Sequence, residues 1–348
     1  MKKSHLRYLQ CPVCGRKPVL VDHRISGSEI SRGKLLCETG LHFFPIVLGR
    51  PLIIKDNSIA NWLPPINKAL GINIQESYQD SLGRLGEMGI EGALSRNEKV
   101  KPCRKPFNDE NYFKYYDRKI LNKAKYRKSG VFFNYYNRMR FKKYSDLKFI
   151  KNSGNEMFNK FLDICLCLKP KKILDLASGS GSLLTSLVNN AKEIDFAYGV
   201  DNDIFCTWSL QYRLDHLKNA GRTEAFGVDV RYLPFKDNLF DLVTCNVSLT
   251  EIQGISQLLT EAFRVLRTGG RLVICNLSEP FKSNYYQTES SSWIKMKDIK
   301  KFCKAADLFF DFPRFNQFAE QIGFKGNKEF FFSRNNNDYF VKVWSKTI

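Results

Sequence analysis

The pattern of apolar and polar positions is clearest in the carboxyl-terminal half of the chain. From residue 157 onward, short apolar runs that suit buried strands are separated by stretches in which apolar residues recur every three or four positions. Such runs favour the strands of a parallel sheet, and the periodic stretches favour the helices that connect them. The pattern therefore predicts an α/β domain over residues 153–348.

The predicted elements of this half follow one another closely. Helices are predicted over residues 157–168, 183–188, 204–217, 252–266 and 315–322. Strands are predicted over 173–176, up to 201, and over 225–229, 240–246 and 271–276, with an antiparallel pair at 328–332 and 339–344. A closing antiparallel pair after several parallel strands distinguishes this arrangement from a purely parallel sheet.

A glycine turn follows the first strand of this half. Ser178-Gly179-Ser180-Gly181 precedes the first connecting helix, and Asp201 ends the next strand twenty residues after Gly181. Glycine lets a ligand lie against the backbone here, and a carboxylate at the end of the second strand can accept from both hydroxyls of a ribose. The arrangement predicts a nucleoside-type ligand, with an ordinary tight turn as the alternative.

The residues that are missing narrow the choice of ligand. A dinucleotide site needs a third glycine three residues after the second, and that position is Leu184. The chain also lacks the GxxxxGK[ST] pattern of a phosphate-binding loop. A cofactor without a pyrophosphate is favoured, and S-adenosylmethionine, with its adenine, ribose and methionine tail, fits these residues.

Four motifs in order resemble those of the class I S-adenosylmethionine-dependent methyltransferases. They are residues 174–181 (LDLASGSG), 227–235 (GVDVRYLPF), 240–243 (FDLV) and 266–272 (LRTGGRL), with Ala177 where the family usually has glycine. The resemblance covers about residues 155–348. It implies a methyltransferase with a Rossmann-like seven-stranded sheet, mostly parallel, whose last strand is antiparallel.

The resemblance also implies roles for individual residues. Asp229 would accept from the adenine amino group, while the Val230 backbone N–H would donate to a ring nitrogen. The predicted cofactor-binding residues are Asp175, Ala177, Ser178, Gly179, Gly181, Asp201, Asn202, Asp229, Val230 and Asn246. Because methyl transfer from a sulfonium mainly requires alignment of the nucleophile, no catalytic base is predicted.

The residues that follow Asn246 give information about the group that accepts the methyl. Enzymes that methylate the exocyclic amino group of a base commonly carry an Asn-Pro-Pro-aromatic signature at this place in the fold. Here Asn246 is followed by Val247 and Ser248. The sequence therefore argues against that subclass.

Three cysteines and a histidine near the amino terminus are spaced as in a zinc site. Cys11 and Cys14 form one close pair, and Cys37 and His42 form a second pair after 22 intervening residues. Two short strands predicted between the pairs, at 19–21 and 34–36, bury too little apolar surface alone, so a metal would contribute to their folding. His23 or a non-protein ligand could take the fourth place, and three reduced cysteines with a surface histidine are the alternative.

Residues 44–54 (FPIVLGRPLII) resemble the tail of small zinc-ribbon proteins that act as activating subunits of tRNA, rRNA and protein methyltransferases. The likeness covers about residues 9–54 and implies a small β zinc ribbon. It divides the chain into a ribbon-like domain at 1–56, a middle segment at 57–152 and the methyltransferase domain at 153–348.

Positive charge is concentrated in the middle of the chain. The formal net charge is +20, and residues 96–172 hold 22 Lys and Arg against 7 Asp and Glu. The middle segment is predicted to be helical. Within it, residues 101–151 interleave these cations with aromatic residues, which suits the bases and phosphates of RNA loops. Aromatic residues at helical spacing more often form a helix face that packs within the protein, so internal packing ranks ahead of RNA contact for this segment. Contact with an anionic lipid surface ranks third.

Composition excludes some classes of protein. No apolar stretch approaches the ~20 residues that span a bilayer, and the first residues lack the apolar core of a secretory signal. Ten cysteines in a chain without that signal indicate a reducing compartment. A cytoplasmic location is therefore expected.

Three functions are compatible with the sequence. The leading hypothesis is a methyltransferase that acts on RNA held by the ribbon and by residues 101–151. The second is the same reaction on a small molecule, such as a glycan, a lipid or a peptide natural product. The third is a non-catalytic nucleic-acid-binding protein that keeps the fold.

Overall fold

A computed structural model describes residues 1–53, 156–279, 309 and 311–347, apart from residues 27, 28, 48, 180, 203, 216, 218, 250, 251, 253, 335 and 336. The predicted middle segment, including the basic aromatic residues 101–151, lies outside the described residues.

The described elements begin with a short 3-10 helix and four strands, and they continue with helices and strands that mostly alternate. The helices are α1 (Glu156–Cys167), α2 (Ser182–Asn190), α3 (Ile204–Leu214), α4 (Ile255–Val265) and α5 (Phe312–Ile322), with short 3-10 helices at Lys3–Tyr8 and Ala220–Arg222. The strands are β1 (Pro18–Ser26), β2 (Glu29–Cys37), β3 (Phe43–Val47), β4 (Arg50–Ile53), β5 (Lys172–Leu176), β6 (Phe196–Asp201), β7 (Thr223–Val228), β8 (Phe240–Asn246), β9 (Leu266–Leu277), β10 (Phe324–Arg334) and β11 (Asn337–Lys346).

The seven carboxyl-terminal strands have the predicted arrangement. Their order in the sheet is β7-β6-β5-β8-β9-β11-β10, and neighbours from β7 to β9 run parallel. β11 pairs antiparallel with both β9 and β10. The fold class is therefore α/β, with a mostly parallel sheet whose last strand in sequence is antiparallel.

The amino-terminal strands extend this sheet further than the sequence predicts. β1, β2, β3 and β4 form an antiparallel meander, and β4 pairs in parallel with β7 through Leu52 opposite Gly227 and Ile53 opposite Val228. The described residues thus form one sheet of eleven strands. Because the edge of β7 offers unpaired backbone groups, β4, whose four residues are all buried, satisfies them.

Two apolar layers cover the two faces of the sheet. Alternate residues of β5 illustrate them, since Ile173 packs with α1, α2 and α3, whereas Leu174 packs with α4 and α5. Leu9 and Leu35 of the amino-terminal region belong to the second layer. Each fully buried leucine or phenylalanine side chain contributes about 1.5–3 kcal/mol, so the amino-terminal strands and the larger sheet stabilise one another through a shared core.

A buried carboxylate fixes the amino-terminal strands to β7. Glu224 is fully buried and pairs with the guanidinium of Arg50, and it accepts from the Lys2 backbone N–H at 2.9 Å. His5 Nδ1 lies 3.3 Å from the same carboxylate. Burial alone would raise the pKa of Glu224, but Arg50, His5 and the amino terminus hold it at about 2. The carboxylate is therefore ionised at neutral pH and organises this junction.

The helix ends follow from local sequence. α5 begins after Asp311, whose side chain accepts from the Arg314 N–H at 2.9 Å, and it ends at Gly323 with φ +114°. Both ends of every helix predicted in this half lie within three residues of the ends of an observed helix.

Among the described residues, no helix combines the length and hydropathy that a membrane span requires.

Candidate functional site

The loop after β5 has a conformation that favours glycine. Ala177, Gly179 and Gly181 all have positive φ, at +47°, +54° and +82°. A Cβ at Gly181 would lie 2.1 Å from Leu210 Cδ1, whereas a Cβ at Gly179 would meet no heavy atom within 4 Å. Gly181 is therefore required for packing against α3, and Gly179 leaves open space in front of the loop.

Asp201 lies directly against this loop. Its Oδ2 accepts from the Gly179 N–H at 2.8 Å, and the residue is 8% exposed at the carboxyl end of β6. Asn202 follows it in a bend at the same edge. The structure thus brings the glycine turn and the predicted ribose-binding carboxylate together.

Asp175 lies beneath the loop rather than at its open surface. The residue is 1% exposed, and its Oδ1 accepts from the Thr244 hydroxyl at 2.7 Å. Burial raises the pKa of Asp175 to about 7, and the negative charge of Asp201 adds to the increase. A buried acid with this pKa is only partly ionised near neutral pH.

The end of β8 closes the other side of the site. Ser248 Oγ lies 3.0 Å from the Asn246 carbonyl oxygen and 3.3 Å from that of Ala177, so its single hydroxyl hydrogen is shared between these two acceptors. Val247 has φ +52°, a strained conformation for a β-branched residue, and its N–H donates to the Cys275 carbonyl at 2.7 Å. Asn246 Oδ1 is buried and has no hydrogen-bond partner among the described residues. An acceptor is therefore left available where the β5 loop and β8 meet.

Asp229 has a partner that sequence reasoning missed. Arg231 donates through Nε to Asp229 Oδ1 at 3.0 Å and through Nη2 to Oδ2 at 2.7 Å. Asp229 is 1% exposed, and Val230 is also buried. The Arg231 side chain packs against Gly254, where a Cβ would lie 2.9 Å from Arg231 Cδ. An adenine amino group would have to share the Asp229 carboxylate with this guanidinium. In the sequence, the only sign of the ion pair is that a cation follows the acid by two residues.

The predicted cofactor-binding residues share one edge of the sheet. Nine of them lie at the carboxyl ends of β5 to β8, which are Ala177, Ser178, Gly179, Gly181, Asp201, Asn202, Asp229, Val230 and Asn246. The tenth, Asp175, lies within β5. Ligands of open α/β sheets bind at the carboxyl ends of the strands, so this edge is the candidate site.

The amino-terminal segment contacts the loop that follows Asp229. The Gln10 N–H donates to the Pro234 carbonyl at 2.9 Å, and the Lys236 N–H donates to the Tyr8 carbonyl at 3.1 Å. Leu9 and Phe235 form an isolated β-bridge between these contacts. One side of the candidate site therefore rests on residues that directly precede Cys11.

The predicted metal ligands form a second cluster. One ligand atom from each of Cys11, Cys14, Cys37 and His42 lies within 4.8 Å of the other three. His42 Nδ1 is 3.6 Å from Cys11 Sγ and 3.4 Å from Cys37 Sγ. His23, the alternative fourth ligand, is exposed on β1 and is not among the four clustered residues.

Two similar turns build this cluster. The Gly15 N–H donates to the Cys11 carbonyl and the Gly40 N–H to the Cys37 carbonyl, both at 2.8 Å, and both glycines have φ +71°. Burial raises the pKa of the Cys11 thiol to about 11. Burial acts in the same direction on Cys37, but hydrogen bonds from Thr39 and His42 lower its pKa to about 6. Three thiols and one imidazole at these distances suit a tetrahedral metal ion.

Comparison with known proteins gives a family match and partial relatives. Residues 142–321 match the model of the ubiE/COQ5 methyltransferase family. The demethylmenaquinone methyltransferase of Streptomyces avermitilis is 34% identical over 110 residues, which are 32% of this chain and 44% of that protein. The ubiquinone/menaquinone biosynthesis C-methyltransferase UbiE of Cronobacter sakazakii is 32% identical over 111 residues, again 32% of this chain and 44% of that protein.

The matched stretch spans less than half the length of these two relatives. Among solved structures, the PH0226 protein of Pyrococcus horikoshii has a TM-score of 0.44 and 18% identity, covering 56% of this chain and 91% of that chain.

Proposed function

Because the chain belongs to the ubiE/COQ5 methyltransferase family, we propose that it transfers the methyl group of S-adenosylmethionine to a small molecule with a quinol-like ring. Two of its relatives are named for demethylmenaquinone methylation and for ubiquinone/menaquinone biosynthesis, and this supports a methyl acceptor of this class. This is the small-molecule alternative among the sequence hypotheses. The relatives support it better than the leading RNA hypothesis.

The observation that carries the proposal is the position of Asp201 against the glycine loop. Its carboxylate would accept from the ribose hydroxyls, and the open space at Gly179 would leave room for the ligand beside the backbone. The unpartnered Asn246 Oδ1 would accept from the ammonium of the methionine tail. These residues fit the cofactor in charge and in hydrogen-bonding capacity.

When bound, the cofactor supplies an electrophilic methyl carbon on a sulfonium, and the chain's own residues would align the acceptor with it. Val247, 39% exposed at the same edge, offers an apolar surface for a ring. Asp175 is enclosed and hydrogen-bonded to Thr244, so we propose a positioning role under the loop for it and assign no base.

Asp201→Asn is expected to weaken binding of S-adenosylhomocysteine about 10- to 100-fold, as measured by calorimetric titration. The amide can still accept from Gly179, but it loses the charge that strengthens hydrogen bonds to the ribose, worth about 1.5–3 kcal/mol. Asp195→Asn is the matched control, because Asp195 is exposed and directly precedes β6 at the opposite end of that strand. Equal affinities in all three proteins would contradict the proposed ribose site.

The substrate class is tested by transfer of label from methyl-tritiated cofactor to demethylmenaquinol or to total cellular RNA. Label in the quinol supports the proposal, whereas label in RNA alone would return the leading sequence hypothesis, which rests on residues 101–151. Cofactor binding without label in either acceptor would reject both acceptors. Absence of cofactor binding would favour the non-catalytic hypothesis.

We also propose that Cys11, Cys14, Cys37 and His42 hold a structural zinc ion. The support is their mutual distance within 4.8 Å and a donor set of three thiolates and one imidazole. The ion would join the turn before β1 to the turn after β2, and would leave no ligand position for catalysis. A reducing compartment such as the cytoplasm suits these thiols, and the eight described cysteines are all free.

Protein purified without a tag is expected to contain about one zinc ion per chain by elemental analysis. Cys37→Ser removes one of the four ligands, so its zinc content should fall well below that of the unmodified protein. Cys167→Ser, at an exposed position in α1, is the matched control and should retain the metal. A wild-type content far below one zinc per chain would contradict the proposal.

A further inference from the structure

A basic cleft lies at the opposite edge of the sheet from the candidate cofactor site. Its volume is about 340 Å³. It is formed by residues 168–171 and the first residue of β5, by the residue before β6, by the second residue of β8 and by the first half of β9. The lining residues are Leu168, Lys169, Pro170, Lys171, Lys172, Asp195, Asp241, Arg267, Gly269 and Arg271. A strand rises about 3.3 Å per residue, so the five residues of β5 separate the two sites by roughly 16 Å.

Positive charge predominates in this cleft. Five of its ten lining residues are Lys or Arg, and two are Asp. Asp241 is already occupied, because its carboxylate accepts from the backbone N–H groups of Lys171 and Lys172, both at 2.9 Å, and pairs with Arg267. Burial would raise the pKa of Asp241, but these hydrogen bonds lower it. The cleft therefore has more positive charge than its own carboxylates neutralise.

The two arginines are anchored in place. Arg267 donates through Nε to Asp241 and through Nη1 to the Thr268 carbonyl at 3.2 Å. Arg271 donates through Nη1 to the carbonyls of Gly269 and Gly270. Among the described residues, Nη2 of both arginines and Nε of Arg271 have no hydrogen-bond acceptor. Anchored guanidinium groups with remaining donors suit the oxygens of a phosphate.

We propose that this cleft binds the phosphate group of a small molecule. A volume of about 340 Å³ accommodates a compound as large as a nucleoside monophosphate. Lys169 and Lys172 form no ion pair with a described carboxylate, so they add positive charge to the cleft. The site uses none of the residues proposed to bind the cofactor, so it stands independently of the proposed methyl transfer.

The test is calorimetric titration of the full chain with inorganic pyrophosphate and, separately, with adenosine monophosphate, at low and fixed ionic strength. Saturable binding of at least one probe with a submillimolar dissociation constant is expected. The double variant Lys169→Asn, Arg271→Gln should weaken that binding at least tenfold, because it removes two of the five cations. Asparagine suits the left-handed backbone of Lys169, at φ +49°.

The matched control is Arg16→Gln, Lys17→Asn, which removes the same charges from two exposed residues outside the cleft. It should bind the probes within twofold of the wild type. If both double variants bind the probes equally weakly, the loss of affinity follows from net charge alone, and the proposal is overturned. Absence of saturable binding to the wild type would overturn it too. Unchanged S-adenosylhomocysteine affinity or unchanged thermal unfolding verifies that the variants are folded, and Lys169→Asn alone serves if the double variant is not.

Discussion

Glu224→Gln is expected to reduce the free energy of unfolding by about 3–5 kcal/mol at pH 7. The substitution keeps the shape of the side chain but leaves the Arg50 guanidinium buried without its counterion. The Lys2 N–H and the His5 ring would also face a neutral amide instead of a carboxylate. Denaturant titration of both proteins measures the difference.

The same substitution should show a characteristic pH dependence. The pKa of Glu224 is about 2 in the folded chain and 4.5 for an ordinary glutamate, so its stabilising contribution is fully present above about pH 4.5 and is lost as the pH falls toward 2. A difference of about 2.5 pKa units corresponds to about 3 kcal/mol. The gap between wild type and variant should therefore narrow below pH 4.5.

Two controls separate this effect from loss of a surface charge. Glu193→Gln breaks a pair with Lys171 at 3.0 Å whose members are both exposed, and it should change stability little. The double variant Arg50→Gln, Glu224→Gln should lose less than the sum of its single variants, because the two side chains interact directly. Full additivity would show that the pair contributes nothing to the junction.

Local sequence patterns predicted most of the carboxyl-terminal sheet. β8 begins and ends at the predicted residues, because Phe240 and Asn246 bound an apolar run. β9 begins five residues earlier than predicted, at Leu266, because the strand passes through Gly269 and Gly270 with a register shift instead of forming a separate turn. A bulge and a turn use the same residue types, so the sequence alone does not distinguish them.

The joining of the two halves could not be predicted locally. β4 is a four-residue strand whose partner, β7, lies about 170 residues further along the chain, and the ion pair between Arg50 and Glu224 spans 174 positions. A cation within an apolar stretch is a signal that a buried partner exists, but it does not identify the partner. Apolar residues of the amino-terminal region share a core with the larger sheet. The domain boundaries predicted at residues 56 and 152 lie outside the described residues and stay predictions.

The residues of the candidate site were easier to predict from the sequence than the tertiary contacts that hold them in place. Ala177 occupies the place of a family glycine and adopts a left-handed conformation, φ +47°, so the substitution retains the turn at the cost of some strain. The pairing of Arg231 with Asp229 and the contact of Gln10 with Pro234 depend on tertiary structure. Sequence motifs therefore indicate where a ligand lies, and the fold determines which of its partners are already engaged.

Asp175→Asn is expected to stabilise the protein progressively as the pH rises, relative to the wild type. The folded pKa of Asp175 is about 7 against an ordinary 3.8, because burial disfavours its ionised form. The folded wild type therefore holds a proton that the unfolded chain has released, and its stability falls between about pH 4 and pH 7. Three pKa units correspond to about 4 kcal/mol, or about 1.4 kcal/mol per pH unit within that window.

Asparagine can still accept from the Thr244 hydroxyl, so the comparison isolates the charge. Denaturant titrations of wild type and variant without cofactor, from pH 4 to pH 8, measure the change, and Asp163→Asn at an exposed position of α1 is the matched control. A difference that grows with pH only in Asp175→Asn would mean that ionisation beneath the glycine loop opposes folding. A flat difference would show that the carboxyl keeps an ordinary pKa, and that water or a cation reaches it despite its burial.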